Sequence, residues 1–195
     1  MTAIKTIGAA LSLLAFVLLP VGSGAVAAPA TAGGTTYGDK PVFQSSNNIQ
    51  YSLSDDKKAF TITFNPAFEA AVGANTSDTA LVGTNVLSVV IPVTGKDVNT
   101  TFVLTASITA EDGAGGLLMV NVNDQQTITR FKKTSEKEVL VQLKYRAKNT
   151  GDIRLTVFLL AERDAAHPKA AALIHALAID SDLAVASKRK KKDTK

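Results

Sequence analysis

The sequence predicts an all-β domain, an antiparallel β-sandwich of about nine strands, and three observations predict it. From Lys137 to Lys148 the side chains alternate: Val139, Val141, Leu143, Tyr145 and Ala147 are apolar, while Glu138, Gln142, Lys144, Arg146 and Lys148 are polar, with Leu140 the one break. A strand sends successive side chains to opposite faces, so this stretch has one dry face and one wet face. Runs of the same kind recur along the chain, each bounded by clusters of Gly, Asn, Asp or Ser. Helical periodicity is almost absent, and many short strands separated by turn signals imply a sandwich.

Taken in order, residues 1–27 read as a secretory signal peptide. Lys5 gives the positive start, Ile7–Leu19 is an apolar run too short to span a bilayer, and Ala25-Val26-Ala27 supplies small residues for cleavage after Ala27, with Ala30 the alternative cut. Residues 28–40 read as a flexible Gly- and Thr-rich lead-in, residues 41–186 as the sandwich, and residues 187–195 as a basic tail. Within the domain, Ile49–Leu53 and Phe60–Phe64 form a hairpin across the charged turn Asp55-Asp56-Lys57-Lys58. Further strands are expected at Phe68–Val72, Val86–Val93, Thr101–Ala110, Leu118–Val122 and Thr127–Phe131, with Glu111–Gly116 a loop and Asn123–Gln126 a turn. The stretch after Lys137 reads as a long central hairpin. Asn149-Thr150-Gly151-Asp152 turns the chain, and Ile153, Leu155, Val157 and Leu159 resume the alternation. Their neighbours Phe158 and Leu160 are apolar too, as expected of a strand entering a more covered part of a sheet. Ala170–Leu177 suits a helix by its alanines, but Ile179, Leu183 and Val185 favour a strand, and the segment is read as mostly strand.

Composition narrows the chemistry. There is no Cys, which excludes disulfides, thiolate metal sites and a Cys nucleophile. The net charge of +4 is unevenly spread: the last eight residues carry +5, and residues 6–187 about −2. The high isoelectric point is therefore read as belonging to the tail rather than to a basic binding face.

Tyr51-Ser52-Leu53-Ser54-Asp55-Asp56 followed by Ala59-Phe60-Thr61-Ile62-Thr63-Phe64 resembles the opening of a secreted β-sandwich family of unknown function. Phe68–Gly73, Val86–Val93 with Pro92, Thr101–Ala110 and the closing Leu177–Val185 resemble further elements of that family in the same order, over about residues 42–186. The family carries Cys pairs that this chain lacks. The resemblance implies a fold and secretion and transfers no active site.

Candidate functional residues are few. His167 and His175 are the only imidazoles, and no G-x-S-x-G elbow accompanies them. Asp180 and Asp182 share a strand face, with Asp164 upstream, but no calcium-loop pattern is present and no carboxylate pair stands out for glycoside chemistry. Tyr51 and Tyr145 fall on apolar faces, and Tyr37 alone lies in a stretch read as an exposed loop, so a platform of rings for sugar is not evident. Asn75 and Asn99 head glycosylation sequons. The tail Lys188, Arg189, Lys190, Lys191 and Lys192 suits an electrostatic tether to an anionic surface or polymer, each basic residue adding about 1 kcal/mol near an anionic membrane. The reading is a secreted, non-enzymatic protein acting on a surface or partner, with no cofactor. A carbohydrate- or calcium-binding module is the alternative, and a secreted hydrolase stands behind both.

Overall fold

The computed structural model describes residues 34–44, 49–73, 79–95, 97–148 and 151–183, with the side chains at 66–67 left aside. The predicted signal peptide, residues 28–33 of the lead-in, Asn75, the Asn149-Thr150 turn and the basic tail lie outside the described residues. Ten strands follow in order: β1 Thr36–Tyr37, β2 Val42–Phe43, β3 Ile49–Leu53, β4 Ala59–Val72, β5 Val82–Ile91, β6 Val93–Thr94, β7 Asp97–Val122, β8 Gln125–Lys148, β9 Ile153–Arg163 and β10 Ala172–Leu183. Every pairing is antiparallel.

The long hairpin β7–β8 organises the fold. Its base, Asp97–Ala110 with Lys137–Lys148, continues into β10, β4 and β3. Its tip, Gly115–Val122 with Gln125–Lys132, continues into β9, β5 and β2. The first set is layer 1 and the second is layer 2. Their inner faces close one core, in which Ile62, Phe102, Leu104 and Ile179 of layer 1 and Leu87, Leu118, Leu155 and Leu159 of layer 2 are fully buried. Removing that apolar surface from water is the main favourable term for a fold without disulfides.

The bend between the layers is built from register breaks. Ile108 faces Lys137, Ala110 faces Thr134 and Gly115 faces Lys132, so β8 holds one extra residue before the bend and β7 three after it. Such insertions curve a strand without ending it. Here β7 exchanges its other neighbour, from β10 up to Ala110 to β9 from Ala114. The loop joining β9 to β10 lies over the exchange: Asp164 N–H donates to Gly113 O (2.8 Å), and the His167 ring occupies the space a side chain at Gly113 would take. Gly113 also has φ +82°, where a β-carbon is strained. At the tip, Val122 pairs with Gln125 across Asn123-Asp124, with Asn123 at φ +53° as the first residue of a two-residue hairpin loop. The tip folds back to the base, where Asn123 Nδ2 donates to the Tyr145 hydroxyl and Gln125 Nε2 to Arg146 O (3.1 Å).

Several expectations are corrected here. The stretches 137–148 and 153–163 are not a hairpin. Among the described residues β8 pairs with β7 alone and β9 with β5 and β7, so the link between them crosses from layer 1 to layer 2. Alternation marks a strand's faces but carries no record of its neighbour. The predicted loop Glu111–Gly116 is the bend inside one strand, and Thr127–Phe131 and Lys137–Lys148 are likewise one strand. The lead-in contains β1, and Tyr37 is buried rather than exposed: its N–H donates to Lys57 O (2.8 Å), and its hydroxyl meets Ser181 Oγ (2.6 Å) and Thr100 Oγ1 (3.1 Å). Ala172–Leu183 is strand, as read, and β3–β4 is the expected hairpin. In its turn the Ser54 hydroxyl and the Lys58 N–H hold the Asp56 carboxyl below the usual carboxylate range.

Candidate functional site: the outer face of layer 2

On β5, β9, β7 and β8 the side chains that turn away from the core fall into rows fixed by register. Val86, Phe158, Met119 and Ile128 are mutual partners across four strands. Beside them run Thr84, Leu160, Leu117 and Arg130, then Val82, Glu162, Gly115 and Lys132. Val86 is 48% exposed, Ile128 45% and Val82 52%, with Phe158, Met119, Leu117 and Leu160 half-buried against one another. Contiguous apolar surface on the solvent side of a sheet is unusual in a folded protein and marks interaction sites. Phe158 and Leu160, expected in a covered part of a sheet, instead form its centre.

The face ends in a groove of about 650 Å³ at the bend, between Val82 of β5, Glu162 of β9, Lys132 of β8 and the Asp112–Gly115 backbone. Gly115 brings β7 close to the β8 backbone, where a side chain would meet Phe131 O and Lys132 Cα. At the rim Lys133 Nζ donates to Asp112 Oδ2 at 3.2 Å, and this hydrogen bond and charge hold the Asp112 carboxyl below its usual range. Arg130 and Lys132 make no ion pair among the described residues.

The residues singled out from sequence do not converge. His167, against Gly113, has Nδ1 4.0 Å from Asp164 Oδ2, and that carboxylate also accepts from Ala166 N–H (2.9 Å). His175 lies on the outer face of layer 1, its Nδ1 3.7 Å from Glu69. Asp180 and Asp182 share that face, both exposed, and Asp180 accepts from the Thr61 hydroxyl (2.6 Å). Among the described residues no three His, Cys, Asp or Glu side chains are grouped as a metal site requires. Tyr145 is in the core and Tyr51 is packed against it. Asn99 Oδ1 accepts from Arg146 Nε (3.0 Å). β8 holds seven basic residues against two acidic ones, spread along its length through both layers. The outer face of layer 2 is not legible in sequence, because β5 and β9 lie well away in the chain from the β7–β8 tip that they extend. The local signals are a period of two that fails at Phe158 and Leu160, and again along Leu117-Leu118-Met119-Val120.

No family model matches the chain, and no curated protein matches it. Among solved structures it is similar to TmCBM61 in complex with β-1,4-galactotriose, at 12% identity and TM-score 0.42, covering 72% of this chain and 90% of that one. It is similar also to the N-terminal cellulose-binding domain of β-1,4-glucanase C from Cellulomonas fimi, at 13% identity and TM-score 0.24, covering 60% and 89%. A family two carbohydrate esterase from Cellvibrio japonicus is similar at 12% identity and TM-score 0.27, but the chain spans only 35% of its length, against 77% of its own. Identities this low, with TM-scores under one half, leave function to the chain's own geometry.

Proposed function

We propose that this chain is an exported, non-enzymatic binding protein that engages a partner through the outer face of layer 2. The row Val86–Phe158–Met119–Ile128 carries the reading, because four apolar side chains held in register toward solvent are of use only when something covers them. The carbohydrate-binding alternative is less well supported. Flat rings are what a sugar face needs, and Phe158 is the one aromatic side chain in these outer rows. Affinity capture from the cell surface and medium of the producing organism tests the proposal. A partner retained by the wild type should be lost with Met119→Lys and kept with Thr63→Lys on layer 1. Equal capture by both variants would sink the assignment of the face.

Export rests on the leader at residues 1–27. Among the described residues no helix is long and apolar enough to cross a membrane. The mature protein should begin at Ala28 or Thr31 by mass spectrometry, and retention of Met1 would overturn export by cleavage. Kinship with the secreted β-sandwich family is part of the same proposal. Its opening and closing motifs fall on β3, β4 and β10, which are neighbours in layer 1. The tether through Lys188, Arg189, Lys190, Lys191 and Lys192 is tested on heparin resin, where a chain ending at Ser187 should elute at lower salt than the full chain.

A further inference from the structure

β8 is 24 residues long and, among the described residues, pairs on one side only, with β7. Along its other edge every second residue turns its N–H and C=O away from β7, and an open edge of this kind is a template for another strand. The two halves of that edge differ. Near the base, Arg146 O already accepts from Gln125 Nε2. Along the tip, from Gln125 to Ser135, there are three basic residues and no acidic one: Lys133 is paired with Asp112 of β7, which leaves Arg130 and Lys132. The inward row of the tip is also incompletely covered: Thr127, Thr129 and Phe131 are half-buried, while Val120 and Leu118 beside the first two are fully buried. Its outward row, Ile128, Arg130 and Lys132, continues the apolar and charged rows of the layer 2 face.

We infer that the tip of β8 receives an extended acidic segment of a partner protein, added to layer 2 as a further strand. This rests on the layer 2 face being the binding face. The added strand would place an apolar residue beside Ile128 and carboxylates beside Arg130 and Lys132, at alternate positions because side chains on one sheet face recur every second residue. Main-chain hydrogen bonds to the β8 edge supply affinity, and the alternate side chains supply selectivity. The same charges oppose a second copy of this chain, since pairing β8 with itself brings cationic side chains together. They oppose the chain's own basic tail as well.

A short fluorescent peptide with one apolar and two Glu residues at alternate positions tests the inference by anisotropy against the full chain. Binding should weaken at least about tenfold for the R130E/K132E variant and for the same peptide N-methylated on its edge-facing amides, because each disrupts one half of strand addition. Loss with the N-methylated peptide reads the backbone contribution without altering the protein. A chain ending at Ser187 should bind as the full chain does. Equal binding of N-methylated peptide, or of polyglutamate of equal charge, would overturn the inference in favour of plain attraction between charges. Concentration-dependent dimerisation that blocks the peptide would overturn it in favour of a second copy. If instead Met119→Lys leaves partner capture intact, the face itself is misassigned, and that outcome is separate from the response to N-methylation.

Discussion

The two layers share β7 and β8 yet arrange the apolar side chains of their outer faces differently. On layer 1 the outward rows read Ser52, Thr61, Asp180, Val103, Gln142 and Gln50, Thr63, Ala178, Thr105, Leu140. On layer 2 the corresponding rows read Val86, Phe158, Met119, Ile128 and Thr84, Leu160, Leu117, Arg130. The outward side of β7 changes from Val103, Thr105 and Ser107 to Leu117 and Met119 within one strand, across the bend. Geometry alone therefore does not set the chemistry of an outer face, because both halves belong to one strand and pair with the same strand, β8. Layer 1 also exposes Leu140, Leu173 and Leu177, but Leu140 lies beside Thr105 and Leu173 beside Ala71 and Thr109, so they form no continuous apolar row. Layer 2 carries apolar area that costs free energy there and gains it when covered.

The sharpest test of that difference compares inside with outside on layer 2. Leu159→Ala empties a fully buried site and should cost roughly 2–5 kcal/mol by denaturant unfolding. Ile128→Ala, 45% exposed, should cost under about 0.5 kcal/mol. Layer 1 offers the matching pair: Leu143→Ala, buried, should fall in the first range and Lys144→Ala, exposed, in the second. If Ile128→Ala cost as much as Leu159→Ala, the outer face of layer 2 would be covered in the intact protein and the contrast between the layers would disappear.

The strands were legible in sequence wherever one face is dry and the other wet, as at Val139–Lys148, because period two is a local property. Their partners were not. Asn149-Thr150-Gly151-Asp152 has turn chemistry whether the chain returns alongside itself or crosses to the other layer, and here it crosses. Glu111–Gly116 looked like a loop because glycines and charges also mark a bulge. Tyr37 was misread for a related reason. A two-residue strand leaves no periodicity, and its burial depends on Thr100 and Ser181, far along the chain. The outer face of layer 2 is the least legible feature, since its rows exist only after β5, β7, β8 and β9 are set in register.

Tyr37 makes the next largest effect, and it belongs to layer 1. Its hydroxyl, Thr100 Oγ1 and Ser181 Oγ meet at 2.6–3.1 Å, and Thr100 donates onward to Asp182 O (2.7 Å). Tyr37→Phe keeps the ring against Phe60 but leaves two buried hydroxyls with one partner fewer, which should cost about 1–3 kcal/mol. A loss below a few tenths would show that the network closes without Tyr37 and that β1 is not a fastening of layer 1.

Alkaline pH probes the same end of the molecule more gently. Desolvation pushes the Tyr51 phenol up to about 12, and burial raises that of Tyr37. An unfolded tyrosine ionises near 10, so above that pH the folded state holds protons that the unfolded state has released. Stability should be fully present below pH 10 and fall as pH rises through the folded values. Tyr51→Phe should flatten that fall, as followed by melting temperature from pH 9 to 12. An unchanged slope would mean that the fall arises elsewhere.

The smallest expected change in stability comes from making layer 2 resemble layer 1. V86T/I128T replaces two of the four members of the central row with the residue type that recurs on layer 1. Threonine is β-branched like valine and isoleucine, so the strand conformation is retained. Both sites are about half exposed, so the methyl groups lost were only partly withdrawn from water and the hydroxyls gained can remain hydrated. Unfolding free energy should therefore move by no more than about 0.5 kcal/mol. Binding of a hydrophobic dye, and capture of the partner, should nevertheless fall, because what is removed is the apolar continuity between β5 and β8. If dye binding were undiminished while stability fell by about 2 kcal/mol or more, several times what a surface change gives, the row would belong to the packing of the fold rather than to the recognition of a partner.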